Sequence, residues 1–143
     1  KSIEYFDNAI ELEQDPIQKS EYCYTAAQVL FSDKKLSKAK QYARKAIENN
    51  AEYGEPYILI AQMYATSPNW SDEAALNKCT YFAVIDKLQK AKSVDPNLAE
   101  KANELISTYS RYTPKDEDLF FIGIKKGDAV TIGGWIGETT TVR

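Results

Sequence analysis

The chain of 143 residues contains no histidine, only two cysteines and no long apolar segment. Without histidine, a Ser–His or Cys–His nucleophile cannot form within the chain, and a zinc site would lack its commonest nitrogen ligand. Two cysteines are too few for a disulfide framework, so we predict that Cys23 and Cys79 are free thiols. No apolar run approaches the roughly 18 residues that a membrane-spanning helix requires. These absences disfavour a catalytic centre, a metal site and a membrane span.

Charge and glycine content narrow the possible functions further. The net charge of −3 gives no electrostatic reason to expect nucleic acid as a partner. The six glycines form neither of the phosphate-binding motifs G-x-x-x-x-G-K-[ST] and G-x-G-x-x-G. Paired carboxylates such as Asp116 and Asp118 stand at predicted helix starts, where the helix dipole favours negative charge. We therefore expect a non-catalytic protein without a cofactor.

What the chain does contain is an internal repeat. Two stretches about 34 residues apart share one spacing of large, apolar, small and large positions. These positions are Cys23, Ala26, Ala27 and Leu30 in the first copy and Tyr57, Ile60, Ala61 and Tyr64 in the second. A period of this length is the mark of a helix–turn–helix repeat, in which each helix pair buries a face only against its neighbours. The repeat predicts an all-α solenoid of antiparallel helix pairs.

Proline and capping residues mark the predicted helix starts. The predicted helices cover residues 2–13, 16–32, 35–50, 55–67, 71–94 and 97–112. Between Tyr64 and Val84 the second copy is longer than the first by about 11 residues, which is about three helical turns and keeps the apolar stripe on one face. We therefore expect residues 71–94 to form one long helix that overhangs its neighbours.

The sequence changes character after Thr113. Residues 116–122 predict a short amphipathic helix. Residues 129–136 and 139–143, separated by Gly137 and Glu138, predict a β-hairpin with a two-residue turn. Because a lone hairpin is only marginally stable in water, it must dock on the helices or pair with another chain.

These features resemble the tetratricopeptide repeat family, whose consensus is W-x2-L-G-x2-Y, then A-x3-F, a further small residue and a proline. The matching second-helix positions are Ala39, Ala43 and Ala46 in the first copy and Val84, Leu88, Ala91 and Pro96 in the second. The resemblance implies a right-handed superhelix. Its parts would be a half repeat at 1–15, a repeat at 16–53, an extended repeat at 54–96, a closing helix at 97–113, and a short helix with a hairpin cap at 114–143.

The tail adds a second resemblance. Phe120-Phe121, Gly133-Gly134-Trp135 and Thr140–Arg143 are similar to the C-terminus of uncharacterised bacterial repeat proteins. That similarity implies a periplasmic or envelope-associated setting if a preceding segment carries a signal peptide. Lys1 stands within a predicted helix and is not a start methionine, so we expect the chain to be the C-terminal part of a larger protein.

The repeat family implies a partner-binding groove lined by the first helix of each repeat. Carried onto this chain, the groove positions are Glu21, Tyr24, Gln28, Phe31, Glu55, Ile58, Gln62 and Thr66. Such a groove would bind a protein or peptide, but glutamates and glutamines stand where some members clamp a carboxylate with lysine and asparagine. The alternative is that Tyr24 and Phe31 only pack against the tail or a neighbouring repeat.

A second functional hypothesis concerns Trp135 in the predicted hairpin. In an envelope ligand-binding domain, this ring could serve as a platform for a glycan or peptide. The alternative, which we favour, is that Trp135 anchors the hairpin to the helices, because a tryptophan buries a large apolar area.

Overall fold

The computed structural model describes residues 3–143. The chain is mostly helical, with one small two-stranded antiparallel sheet near its C-terminus. The helices are α1 (Ile3–Leu12), α2 (Pro16–Ser32), α3 (Leu36–Asn49), α4 (Glu55–Ala65), α5 (Ala74–Lys78), α6 (Thr80–Val94), α7 (Ala99–Ser110) and α8 (Asp116–Phe121). The strands are β1 (Ala129–Thr131) and β2 (Thr139–Thr141). The predicted start of the first helix at residue 2, like the repeat boundary at Lys1, lies outside the described residues.

A local signal marks the start of α2. Helix α2 begins at Pro16 and ends at Ser32, as predicted, and the Asp15 side chain accepts a hydrogen bond from the backbone N–H of Ile17 at 3.1 Å. This contact satisfies one of the amides left unpaired at a helix start. Helices α3, α4 and α7 agree with their predicted bounds to within two residues at each end, and a 3-10 turn at Pro96–Leu98 precedes α7.

Buried alanines lie where helices pack. In chain order α1 packs on α2, α2 on α3, α3 on α4, α4 on α6, and α6 on α7. Alanines with at most 1% of their surface exposed recur throughout this series: Ala26, Ala27, Ala39, Ala43, Ala46, Ala61, Ala83, Ala91 and Ala102. Their small side chains let backbones approach closely, while larger residues such as Leu30, Tyr64 and Leu88 fill the space between them.

The predicted continuous helix over residues 71–94 is wrong. The segment contains two helices, α5 and α6, which are interrupted at Cys79. The cause is a set of side-chain hydrogen bonds that fold the preceding loop back onto the helix. The Asn77 amide oxygen accepts from the backbone N–H groups of Trp70 and Ser71 at 3.0 and 2.8 Å, and the Thr80 hydroxyl accepts from the Trp70 indole N–H at 3.0 Å. The extra residues therefore form a folded-back loop and a separate short helix, not a helical overhang.

The predicted two-residue hairpin turn is also wrong. The strands pair in the register Ala129↔Thr141, Val130↔Thr140 and Thr131↔Thr139, so residues 132–138 form the connection. Ile132 and Ile136 within this connection are buried in the core. Gly134 and Gly137 have φ values of 69° and 57°, which a residue without a Cβ adopts without strain. The connection is longer than predicted because it packs its own apolar side chains against the helices.

The hairpin docks on the helices, which was one of the two expected arrangements. Thr140 donates a hydrogen bond to Asp86 of α6 at 2.6 Å, and Arg143 forms an ion pair with the same carboxylate. Lys40 of α3 donates to the carbonyl oxygen of Ile136 at 2.9 Å. These polar contacts lie at the edge of an apolar contact between the hairpin and the helices. Val130 and Val142 are buried in that contact.

The loop between α4 and α5, which contains Trp70, contacts the hairpin. Gly133 of the hairpin connection lies directly against the ring of Trp70, and a Cβ added at Gly133 would stand 2.7 Å from the Trp70 Cε3 atom. Real Cβ atoms essentially never approach another heavy atom so closely. The loop that contains Trp70 and the hairpin connection therefore pack against each other.

We expect Gly133→Ala to lower the free energy of unfolding by about 1–3 kcal/mol, the usual range for overpacking a tight contact. The reason is the clash with the Trp70 ring, so the cost should largely disappear when Trp70→Leu has already removed that ring. Urea unfolding of the wild type, both single variants and the double variant measures this coupling. Additive effects of the two substitutions would contradict the contact.

Candidate functional site

A groove between α2 and α4 contains several of the predicted site residues. It encloses about 390 Å³ and is lined by Gln28, Phe31 and Ser32 of α2 together with Leu59 and Gln62 of α4. On each helix these residues are three or four positions apart, so they share one face. We call this surface the α2–α4 groove.

The sides of α2 and α4 that face away from the groove pack in the core. On α2, the buried residues Ala26, Ala27 and Leu30 face the core, which leaves Gln28 exposed and Phe31 half-buried on the groove side. Helix α4 is apolar over most of its circumference, as expected of a helix enclosed by neighbours. Gln62 is one of its few polar side chains. The groove thus combines two amide side chains with the half-buried Phe31 and with the edge of Leu59, which is 6% exposed.

An aromatic pair lies one turn away from Gln28 on the same face of α2. The rings of Tyr24 and Tyr53 meet edge to face with their centroids 5.4 Å apart. Burial and the nearby Glu55 carboxylate raise the pKa of Tyr24. Burial, together with Tyr24 and the carboxylates of Glu21 and Glu55, raises the pKa of Tyr53 to about 12. Two acidic side chains are therefore close to this aromatic pair.

The structure groups the eight predicted groove residues into three sets. Gln28, Phe31 and Gln62 line the cavity, whereas Tyr24 packs on Tyr53, whose pKa the carboxylates of Glu21 and Glu55 help to raise. Two residues lie elsewhere. Ile58 has only 2% of its surface exposed and belongs to the core, so it does not face the groove. Thr66 is exposed at the end of α4, where its hydroxyl donates to the Met63 carbonyl oxygen at 2.6 Å.

Sequence reasoning missed Ser32, Leu59 and Tyr53. Leu59 is adjacent to the predicted Ile58, and the apolar character of α4 on nearly all sides leaves no amphipathic stripe that could distinguish the two. Tyr53 lies in the loop before α4, where no periodicity applies. Tyr24 packs edge to face on Tyr53, and the alternative that Tyr24 and Phe31 pack against the tail or a neighbouring repeat stays a prediction.

A larger cavity than the α2–α4 groove lies beside α8. It encloses about 520 Å³ between α8 and the segment that follows it, with Leu119, Phe120, Ile124 and Val142 in its wall. Phe120 is 78% exposed and Phe121 is 89% exposed. The lysines at this cavity already pair with carboxylates, Lys126 with Asp116 at 3.5 Å and Lys125 with Asp128 at 3.4 Å. It therefore offers an apolar surface but no set of polar groups directed at a common ligand.

Trp135 uses its ring for packing. The ring meets that of Tyr64 on α4 edge to face, with the centroids 5.4 Å apart, and it is half-buried. This geometry fits an anchor for the hairpin, and a ring in such a contact is not a free platform for a sugar.

A charged cluster surrounds the same contact. Lys87 of α6 pairs with Glu138 at 2.6 Å, and the buried Tyr64 hydroxyl lies beside the same carboxylate without a hydrogen bond of ordinary geometry to any described residue. Burial acts to raise the pKa of Glu138. The hydrogen bond from Lys87 and the positive charges of Lys87 and Lys40 outweigh it, so the net pKa is lowered. This carboxylate is therefore more acidic in the folded chain than in the unfolded one.

Other kinds of site have little support within residues 3–143. Over this range no three histidine, cysteine, aspartate or glutamate side chains converge as metal ligands, and no helix is long and apolar enough to cross a membrane. Cys23 and Cys79 are free and buried, as predicted. Burial raises the pKa of Cys79 to about 11, so at neutral pH it is a thiol and a poor nucleophile.

No protein-family model matches the chain, and no curated protein matches it. Function must therefore be inferred from the geometry of the chain itself.

We expect the Glu138 cluster to make stability sensitive to acid. Its folded pKa lies below the value of about 4.3 for an unfolded glutamate, so its contribution is present above that pH. As the pH falls through the lower folded pKa, this contribution is lost. Urea unfolding between pH 7 and pH 3 should give a shallower acid loss for Glu138→Gln than for the wild type. The exposed-site control Glu73→Gln should follow the wild type, and identical profiles for all three proteins would contradict the assignment.

Proposed function

We propose that this protein is a non-catalytic interaction module that binds an extended peptide segment of a partner protein in the α2–α4 groove. We further propose that its helices form a tetratricopeptide-like, right-handed solenoid that presents this groove. The order of packing supports the second proposal, because each helix of the series contacts its successor and α2 also contacts α4 across the intervening α3. Contact between alternate helices of this kind is what a stack of helix pairs produces.

One observation carries the binding proposal. Gln28 and Gln62, which belong to different helices, line the same cavity as the apolar side chains of Phe31 and Leu59. A glutamine amide both donates and accepts hydrogen bonds, so it can pair with the N–H and C=O groups of a peptide backbone. The adjoining apolar surface can bury a side chain of the same peptide. A polar pair beside an apolar wall is therefore suited to an extended chain.

The groove is preferred to the two other surfaces on the same grounds. At the α8 cavity both lysines, Lys125 and Lys126, are paired with carboxylates. At the hairpin, the Trp135 ring packs on Tyr64 and the Glu138 carboxylate pairs with Lys87. The α2–α4 groove, by contrast, has two glutamine side chains in its lining, one from each of the two helices.

The experiment uses a displayed library of random 12-residue peptides and synthetic copies of the peptides that the wild type selects. Replacing Gln28 and Gln62 with alanine should weaken binding by about tenfold or more, because each lost hydrogen bond is worth about 0.5–1.5 kcal/mol. The melting temperature should stay unchanged, since both side chains lie on the surface of the groove. Isothermal titration calorimetry measures the first quantity and thermal unfolding the second.

A matched control is available in Gln41→Ala with Gln89→Ala, because both glutamines are exposed on α3 and α6 outside the groove. This variant should bind the selected peptides as the wild type does. Equal weakening by the two double variants, or loss of binding that follows loss of stability, would refute the groove as the binding site.

A further inference from the structure

We infer that the α2–α4 groove recognises a segment carrying an arginine, whose guanidinium lies between Glu21 and Glu55 against the rings of Tyr24 and Tyr53, with an apolar residue a few positions away against Phe31 and Leu59. This inference rests on the proposed function and names the chemical class of the partner. It follows from the surface that continues from the α2–α4 groove toward the start of α2, where the tyrosines Tyr24 and Tyr53 meet and the side chains of Glu21 and Glu55 add negative charge. We call this part of the surface the acidic end.

The carboxylates of Glu21 and Glu55, at the acidic end, can accept a further positive charge. Among residues 3–143, Glu21 forms no ion pair, and its side chain is exposed. Glu55 pairs only loosely with Lys101, at 3.7 Å, and the lysine side chain is 54% exposed. Because exposed ion pairs of this kind contribute little, an incoming cation can replace Lys101 without a large loss. The pair of carboxylates thus provides charge complementarity for a basic side chain.

The tyrosine pair favours arginine among the basic residues. Tyr24 and Tyr53 are half-buried, so part of each ring is accessible, and the Glu21 and Glu55 carboxylates are close enough to raise the pKa of Tyr53. A guanidinium stacks on an aromatic ring and also forms two parallel hydrogen bonds to a carboxylate, whereas an ammonium forms neither the planar stack nor the paired bonds. Both features of the acidic end can therefore be used at once by arginine but not by lysine.

The length of the groove sets the spacing of the motif. Along α2, the ten positions from Glu21 to Phe31 span about 15 Å at 1.5 Å per residue. An extended peptide covers this distance with about four or five residues at 3.3 Å each. The arginine and the apolar anchor should therefore be separated by about four or five positions.

The test analyses the peptides selected from the random 12-residue library. Wild-type protein should enrich arginine at this separation from a large apolar residue. For a synthetic peptide of the selected sequence, exchange of the arginine for glutamine should weaken binding by about tenfold, and exchange for lysine by less. Glu21→Gln with Glu55→Gln should weaken binding to the same extent and flatten its dependence on salt. The control Asp72→Asn with Glu73→Gln removes two exposed carboxylates outside the groove and should leave binding unchanged.

Three outcomes would overturn the inference, and they differ in what else they affect. Selected peptides without basic residues would overturn it, as would undiminished binding to the Glu21→Gln, Glu55→Gln variant. In both cases the proposed function stands if the Gln28→Ala, Gln62→Ala variant still loses binding. Selection of no peptide by the wild type would overturn the inference and the proposed function together.

Discussion

The tertiary structure depends above all on the burial of α6. This helix packs against α4 and α7 and also receives the C-terminal hairpin. Phe82, Val84 and Leu88 on its surface are almost inaccessible to water, and Ala83 and Ala91 allow close approach of neighbours. Burial of this kind contributes about 25 cal/mol for each Å² of apolar surface removed from water, so α6 contributes to stability through its contacts with α4, α7 and the hairpin.

The groove depends on the same contact through α4. Helix α4 lies between α3 and α6, and its N-terminal end meets the C-terminal part of α6 at Gly54, where an added Cβ would stand 2.9 Å from the carbonyl oxygen of Ala91. Because α4 is held in this way, its spacing from α2 is set by the core and not by a ligand. The groove is therefore largely preformed, which reduces the ordering that a peptide must undergo on binding.

The hairpin has a structural role in this arrangement. A pair of three-residue strands has little stability of its own. Here it is stabilised by ion pairs to Asp86 and Lys87 and by the contact of Gly133 with Trp70. The tail covers α6 on a side that would otherwise face water, and it leaves the α2–α4 groove open.

Sequence patterns predicted the elements whose causes are local. Helix α2 was placed correctly because Asp15 and Pro16 act within one turn of the helix start. The break at Cys79 was missed because it depends on how the Asn77 and Thr80 side chains bind a loop several residues away. The hairpin connection was missed for a similar reason, since burial of Ile132 and Ile136 requires the helices to be in place. In the groove, Gln28 and Phe31, which the resemblance to the repeat family named, line the cavity, but the uniformly apolar α4 gave no basis for choosing Leu59 over Ile58.

The most direct test of this account is the location of peptide binding on the folded chain. Backbone amide NMR spectra of the isotope-labelled protein would be recorded during titration with a synthetic peptide selected by the wild type. The account predicts that the largest shifts fall on α2 between Glu21 and Ser32 and on α4 between Glu55 and Gln62. Shifts concentrated on α8 or on the hairpin around Trp135, with the groove residues unchanged, would contradict it.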